Sequence, residues 1–307
     1  MKPLFSTTLR ACFLLIVTLT ACNKISPLDP VSPVTTKNAV THQVFSVMDM
    51  QVDPATGNLN IIFHESQRIF SYPANGAHYK AMLSTLETGK ANGRPIEVFF
   101  SMEGGLDNVL PATKDEVSVF NLRFTETETT RDMYEEVIPS MEKLNEIFAF
   151  IQEQNCVDGN AVIDYCIPFQ FKIDGCYARA HKMKQIMEID YGYTCSKIFS
   201  FAKNLHPLAV DAGDCCIFWG WHDAPVVKVN TSEGITEMVV DPSLFDHPVS
   251  IQHWLSVQST PSCDPKSGAG SYKIVPGSYY FDDGTKDPHY VSTNFVLNAY
   301  KNLKTCN

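Results

Sequence analysis

The sequence predicts an α+β protein of two domains. Three observations lead there. Short runs of apolar, β-branched residues alternate with segments of helical period. The 307 residues exceed one average domain and fit two. Of ten cysteines, the eight that follow Cys22 all lie at or beyond Cys156, so the two halves differ in make-up. Hydrophobic residues at 44% and charged residues at 19% lie in the ordinary globular range.

Taken in order, the chain begins with a basic stretch holding Lys2 and Arg10, an apolar run from Ala11 to Leu19, and Leu19-Thr20-Ala21-Cys22. That is the pattern of a lipoprotein signal peptide over residues 1–21. The run is far short of the roughly 20 apolar residues of a membrane span. Its resemblance to bacterial lipoboxes implies cleavage before Cys22 and a lipid on its sulfur, with 22–42 as a Pro-, Ser- and Thr-rich tether. A formal charge of −10 without a Lys/Arg cluster argues against nucleic acid as a partner. It leaves the lipid on Cys22 as the only expected membrane contact.

From residue 43 to 130 the pattern is strand-like with one helix. Val44–Val47, Leu59–Phe63 and Ile96–Phe100 read as strands, His78–Leu86 as a helix, and Asp53–Asn58 as a turn. Thr125–Arg131 is polar, lacks large apolar residues and reads as an exposed, cleavable linker. The second domain, 131–307, opens with Val137, Ile138, Met141, Leu144, Ile147 and Phe148 at helical spacing.

Two segments of that domain carry chemistry. In Asp174-Gly-Cys-Tyr-Ala-Arg-Ala-His181, Asp174 is expected to cap a helix that ends at Tyr191-Gly192 and holds Cys176 in its first turn. There the unpaired N–H groups and the helix dipole favour a thiolate and can stabilise an oxyanion. A disulfide partner is the equal alternative on position alone. His181, five steps of about 100° further on, lies roughly 140° around the helix and reads as a packing or surface residue. His222 is better placed. Cys216–Val229 and Ile235–Val240 read as the arms of a hairpin, and the midpoint of His222 and Asp241, at 231.5, falls in its turn. Antiparallel pairing then sets the two nearly opposite, as base and orienting carboxylate, though each alone fits a structural role.

An oxidising compartment predicts disulfides in the second half only. The favoured pairs are Cys156 with Cys166, Cys195 with Cys215 or Cys216, and Cys263 with Cys306, although connectivity does not follow from sequence. If Cys176 stays reduced, one further thiol must remain unbridged. No Cys-x-x-Cys occurs and ten-residue steps do not match ligand spacing, so neither a metal nor another cofactor is expected.

These residues resemble the bacterial protein-glutaminases. The matching blocks are Asp-Gly-Cys-Tyr-Ala-Arg-Ala-His-Lys-Met at 174–183, Gly-Tyr at 192, Cys-Cys at 215, Trp221-His222 and Val-Asp-Pro-Ser-Leu-Phe at 240–245, with a weaker likeness upstream through Val137-Ile138-Pro139. The resemblance implies a papain- and transglutaminase-like α+β catalytic domain at 131–307 and an inhibitory α+β pro-domain at 43–130. It implies Cys176 as nucleophile, His222 as acid and base, and Asp241 as orienting carboxylate. Asp223 departs from the apolar residue expected after the histidine, and strand alternation sends it to the opposite face. The expected activity is deamidation of protein glutamines through a thioester. A papain-like protease, a transglutaminase or a non-catalytic disulfide-stapled lipoprotein share much of this pattern. Expected partners are proteins with exposed glutamine and an activating protease. The chain is expected to be a monomer, exported, and anchored through Cys22 until processing frees the catalytic domain. Trp219 and Trp221 read as core, or as walls of a glutamine slot. Gln67, in the polar stretch His64–Arg68, reads as a surface residue, or as a substrate mimic in the covered site.

Overall fold

The computed structural model describes residues 41–101, 104–122, 124, 136–157, 161, 164–203 and 206–306. The leader, nearly all of the tether with Cys22, and the whole linker Thr125–Arg131 lie outside the described residues.

The N-terminal part runs β1 (Thr41–Phe45), β2 (Val47–Val52), β3 (Leu59–Phe63), β4 (Ser66–Tyr72), α1 (Tyr79–Asn92), β5 (Ile96–Phe100), β6 (Leu106–Pro111) and α2 (Lys114–Leu122). These strands form two antiparallel three-stranded sheets, β1-β5-β6 and β2-β3-β4. In β3 and β5 alternate residues are buried, as period two requires, so Leu59, Ile61, Phe63, Ile96, Val98 and Phe100 build one core with Met82 and Leu86 of α1. β3 and β5 match the sequence expectation. The expected strand Val44–Val47 is instead divided between two sheets at Ser46, whose N–H leaves the ladder for the Glu65 carboxylate at 2.8 Å. The helix expected to end at Leu86 continues to Asn92 and closes on Gly93, in the left-handed region at φ 59°.

The second part runs α3 (Met141–Glu153), α4 (Cys176–Asp190), β7 (Ser196–Ala202), β8 (Leu208–Asp211), β9 (Cys216–Trp219), β10 (Trp221–Thr231), β11 (Gly234–Val239), β12 (Val249–Ser250), α5 (Ile251–Val257), β13 (Ala269–Pro276) and α6 (Val291–Tyr300). Its antiparallel sheet has the order β12-β11-β10-β7-β13, with β8-β9 as a separate ribbon. Ser140 caps α3 through the Lys143 N–H at 3.3 Å. Almost every residue from Cys176 to Met187 of α4 is buried, so this helix is a central element, packed on β10 and α6. The architecture is α+β. No helix of the described residues is long and apolar enough to cross a membrane.

The β3–β4 turn of the N-terminal part presses into the second part beside the start of α4. Trp221 Nε1 donates to Phe63 O at 3.1 Å, Tyr177 Oη to Glu65 O at 2.9 Å, and Gly220 N to Gln67 O at 2.8 Å. Gly220 is required there, because a Cβ would lie 2.7 Å from Cδ1 of Ile62. Gly220 also divides the expected strand Cys216–Val229 into β9 and β10.

Three disulfides brace the second part: Cys156 with Cys166, Cys215 with Cys306, and Cys216 with Cys263. The first is as expected. The expected bridges from Cys195 and between Cys263 and Cys306 are replaced. Cys215 and Cys216, adjacent at the start of β9, turn to different partners. Cys195 is buried against Gly277 and carries no disulfide.

Candidate active site

Gly175, not Asp174, is the N-cap of α4. Its φ of 80° suits glycine, and a Cβ would meet the Tyr300 ring at 2.8 Å. Asp174 is buried instead and acts as a brace. Its carboxylate accepts from Gly175 N at 2.8 Å, Ser66 Oγ at 2.7 Å and Gln67 N at 3.3 Å. Burial pushes its carboxyl above the usual range against those bonds. Because no side chain of the second part caps the helix, the Cys176 N–H is left for another acceptor. That acceptor is Gln67 Oε1, at 3.1 Å.

Gln67 is therefore no surface residue: it is fully buried. Its Nε2 donates to Lys172 O at 2.9 Å, an oxygen that Trp219 Nε1 also reaches at 2.9 Å. Both ends of the carboxamide are thus read by backbone groups beside the thiol. With this cleft filled, a surface depression of ≈ 580 Å³ lies elsewhere, near α5 and β13, lined by Lys203, Gln252 and Tyr272.

The hairpin of β10 and β11 forms in antiparallel register from Thr231↔Gly234 to Val226↔Val239. Continued, that register sets Asp241 two places from facing His222, at the same end of the hairpin. His222 Nε2 and Asp241 Oδ2 meet at 2.8 Å, both buried. Trp254 Nε1 donates to the same Oδ2 at 2.9 Å, and Asp241 Oδ1 accepts from Ser243 N at 3.1 Å. Burial raises the Asp241 carboxyl, but the His222 charge and the hydrogen bonds from His222 and Trp254 outweigh it and hold the group below its ordinary value. The imidazole lies between two indoles, stacked at 4.5 Å on Trp219 and 5.4 Å on Trp254. With Nε2 engaged by Asp241, Nδ1 is left buried without a hydrogen-bond partner among the described residues. In a native site such an orphan calls for an explanation, and proton exchange is one. Trp221 packs with Tyr177 and Phe199 in the core, whereas Trp219 borders both His222 and the Gln67 slot.

The thiol of Cys176 carries no disulfide and is buried. The helix start alone lowers a thiol's pKa, yet here burial, together with the charge of Asp223, pushes it well above its ordinary value; Arg179 opposes them without prevailing. Asp223 is the residue that spacing did not bring into the site. Alternation does send it to the face opposite His222, but that face lies under α4, against the thiol. Both its oxygens lack a hydrogen-bond partner among the described residues, and Lys197 Nζ, fully buried on β7, lies 3.8 Å away and equally unsatisfied. Burial raises Asp223 and lowers Lys197, each opposed by the other's charge. The register of β10 with β7, Asp223↔Phe199 and Pro225↔Lys197, makes them diagonal neighbours. The sequence signals for this pair are a charged residue in each of two otherwise apolar strands: Lys197 in Ser196–Ala202, and Asp223 where an apolar residue was expected after the histidine.

His181 is a packing residue. It is buried, bonded to Asp287 O at 3.0 Å, edge-on to Tyr280 and tilted against Tyr290, and burial holds its pKa well below the ordinary value. Among the described residues the one cluster of metal-ligating type is His42, Glu97 and Glu116, in the N-terminal part on elements other than those carrying Cys176.

The fold and this buried cysteine beside a His/Asp pair define a candidate cysteine hydrolase, and the comparisons give the family. A family model described as glutaminase matches residues 144–258. A crystal structure of pro-protein-glutaminase is similar with TM-score 0.76 and 26% identity, over 87% of this chain and 95% of that one. The A47Q2 mutant of pro-protein-glutaminase is equally similar, at TM-score 0.76 and 26% identity over 88% and 96%. The protein-glutaminase of Chryseobacterium proteolyticum is 34% identical with TM-score 0.50, over 56% of this chain and 92% of that one. No curated relative matches. The chain belongs to the protein-glutaminase family, in its proenzyme form, and is a protein-glutamine deamidase.

Proposed function

We propose that residues 131–307 deamidate glutamine side chains through Cys176, His222 and Asp241, and that residues 43–130 are a pro-domain that keeps the enzyme latent. The observation that carries this reading is the carboxamide of Gln67 seated on the Cys176 N–H. In the proposed mechanism Asp241 fixes the His222 tautomer by accepting from Nε2, leaving Nδ1 to take the thiol proton. The Cys176 thiolate attacks the substrate carboxamide carbon, and the oxyanion develops against the Cys176 N–H. His222 protonates the departing ammonia, and a water deprotonated by His222 then hydrolyses the thioester to glutamate. The Lys172 carbonyl, which takes a hydrogen bond from the amide nitrogen of Gln67, favours carboxamide over carboxylate, because an acid oxygen would face it acceptor to acceptor. A cysteine at the start of a helix packed on the strand that carries the buried His222/Asp241 pair supports a papain- and transglutaminase-like plan. The leader pattern supports export with a lipid on Cys22, and the linker Thr125–Arg131 supports release by an activating protease.

The test is to cut the chain in the linker and supply a protein substrate. The supplied substrate should be deamidated only after cutting, with multiple turnovers of ammonia, no new peptide termini and no cross-links. Cleavage of the substrate chain would replace this reading by a protease, and cross-linking by a transglutaminase. Cys176→Ala should abolish ammonia release, and His222→Ala should lower kcat by about 10²–10⁴.

A further inference from the structure

We propose that Gln67 is a modification site of the chain's own active site, deamidated once, in cis, to glutamate within the uncut proenzyme. This rests on the proposed function above. A glutamine that merely filled the cleft would need only its bulk. Gln67 instead has each group of its carboxamide engaged: Oε1 accepts from Cys176 N at 3.1 Å and Nε2 donates to Lys172 O at 2.9 Å. An oxygen bonded to that N–H lies within reach of the side chain of the same residue, and that side chain is the nucleophile. The backbone on either side is also fixed. Gln67 N donates to Asp174 Oδ1 at 3.3 Å, Gln67 O accepts from Gly220 N at 2.8 Å, and Ser66 Oγ donates to Asp174 Oδ2 at 2.7 Å. The carboxamide is held in one geometry in which its carbonyl oxygen already occupies the oxyanion position, which is the arrangement that makes an intramolecular step fast.

The step needs only water, as the family's hydrolysis does. The thiol proton passes to His222, the Sγ–Cδ bond forms, and the Cδ–Nε2 bond breaks as ammonia leaves with that proton. Water then adds to the thioester, the C–S bond breaks and the thiol is restored. In the product, an anionic oxygen replaces the Nε2 donor opposite Lys172 O, in a cleft already holding the buried carboxyl groups of Asp174 and Asp223. The product is thus held less well than the glutamine, and the reaction runs once per molecule. Because Gln67 is fully buried, a second molecule cannot reach it while the turn is in place.

The experiment is mass spectrometry of the peptide containing residue 67, from the uncut full chain sampled over time at several protein concentrations. The expected result is loss of the glutamine form and gain of the glutamate form, at a first-order rate independent of concentration, with Cys176→Ala retaining glutamine. Intact Gln67 in an uncut chain whose cut form releases ammonia from a protein substrate would overturn this proposal and leave the proposed function standing. Glutamate at 67 in both chains would overturn it as well, since conversion would then not need the thiol. A cut form that releases no ammonia is instead a failure of the proposed function.

Discussion

At the residue scale, the thiol environment turns on Asp223. A carboxylate against a thiol opposes the thiolate, so Asp223→Asn should lower the Cys176 pKa. In the cut enzyme, alkylation at a fixed pH near neutrality should quicken roughly tenfold for each pKa unit lost. The same substitution strips Lys197, in a fully buried position, of the carboxylate 3.8 Å from its Nζ. Breaking a buried pair costs about 3–5 kcal/mol, so the single variant should melt well below the parent. Lys197→Met added to Asp223→Asn should recover most of that loss while keeping the faster alkylation. Equal melting of single and double variants would show that the pair has no structural role. The contrast explains what was legible in the site. Cys176, His222 and Asp241 could be singled out as candidates because a helix start and a hairpin midpoint are local arithmetic, and the family resemblance decided between their alternatives. Asp223 and Lys197 depend on which face of β10 meets α4, and Gln67 on how one turn docks, and neither is written in local spacing. The polar neighbours of Gln67 pointed to solvent, yet Ser66 and Gln67 are both buried against Asp174.

At the element scale, α4 depends on how its first turn begins. Gly175→Ala must adopt φ near 80° with its Cβ against the Tyr300 ring, which combines a left-handed penalty with overpacking. The expected cost is about 1–3 kcal/mol, read as a lower Tm. Since the same cap aims the Cys176 N–H, activity should fall even at temperatures where the variant is folded. An unchanged Tm would show that Tyr300 yields freely. The elements themselves were legible where one periodicity ran without interruption. β3 and β5 alternate cleanly and were read to the residue. The run Val44–Val47 was misread because its apolar character continues across Ser46, where only the long-range bond to Glu65 reveals the break. α1 outlasts its apolar stripe because Gly89 lets the last turn close on Ile96, where a Cβ would lie 2.9 Å from Cγ2. The disulfides resisted for a related reason: pairing follows which chain segments meet, and Cys306 reaches Cys215 across 91 residues.

At the scale of the whole molecule, the β3–β4 turn that closes the site carries its own response to pH. His64 lies against Asp282 at 3.3 Å and beside Phe281, with Glu65 and Asp283 near it. Burial lowers its pKa, yet these carboxylates outweigh burial and the net shift is upward. Glu65 is half-buried by solvent exposure, accepts from Ser46 N, and is pushed from 4.5 up to about 7, chiefly by desolvation. When the turn lifts, both groups return to water and to ordinary values. The docked state therefore binds more protons than the lifted one, and docking must weaken as pH rises. The Glu65 contribution is lost from 4.5 up to about 7. The His64 contribution is complete below 6.5 and is lost as pH climbs through its raised docked value. Both act in the same direction, so the clamp is tightest in mild acid and loosest above neutrality. Hydrogen exchange at residues 62–70, corrected for the intrinsic rate at each pH, should show protection falling by roughly tenfold or more between pH 5 and pH 8. Glu65→Gln should flatten the part of the profile below pH 7, and His64→Phe the part above 6.5. Protection that stays level with pH, or rises with it, would show that these two groups do not leave their burial when the turn opens.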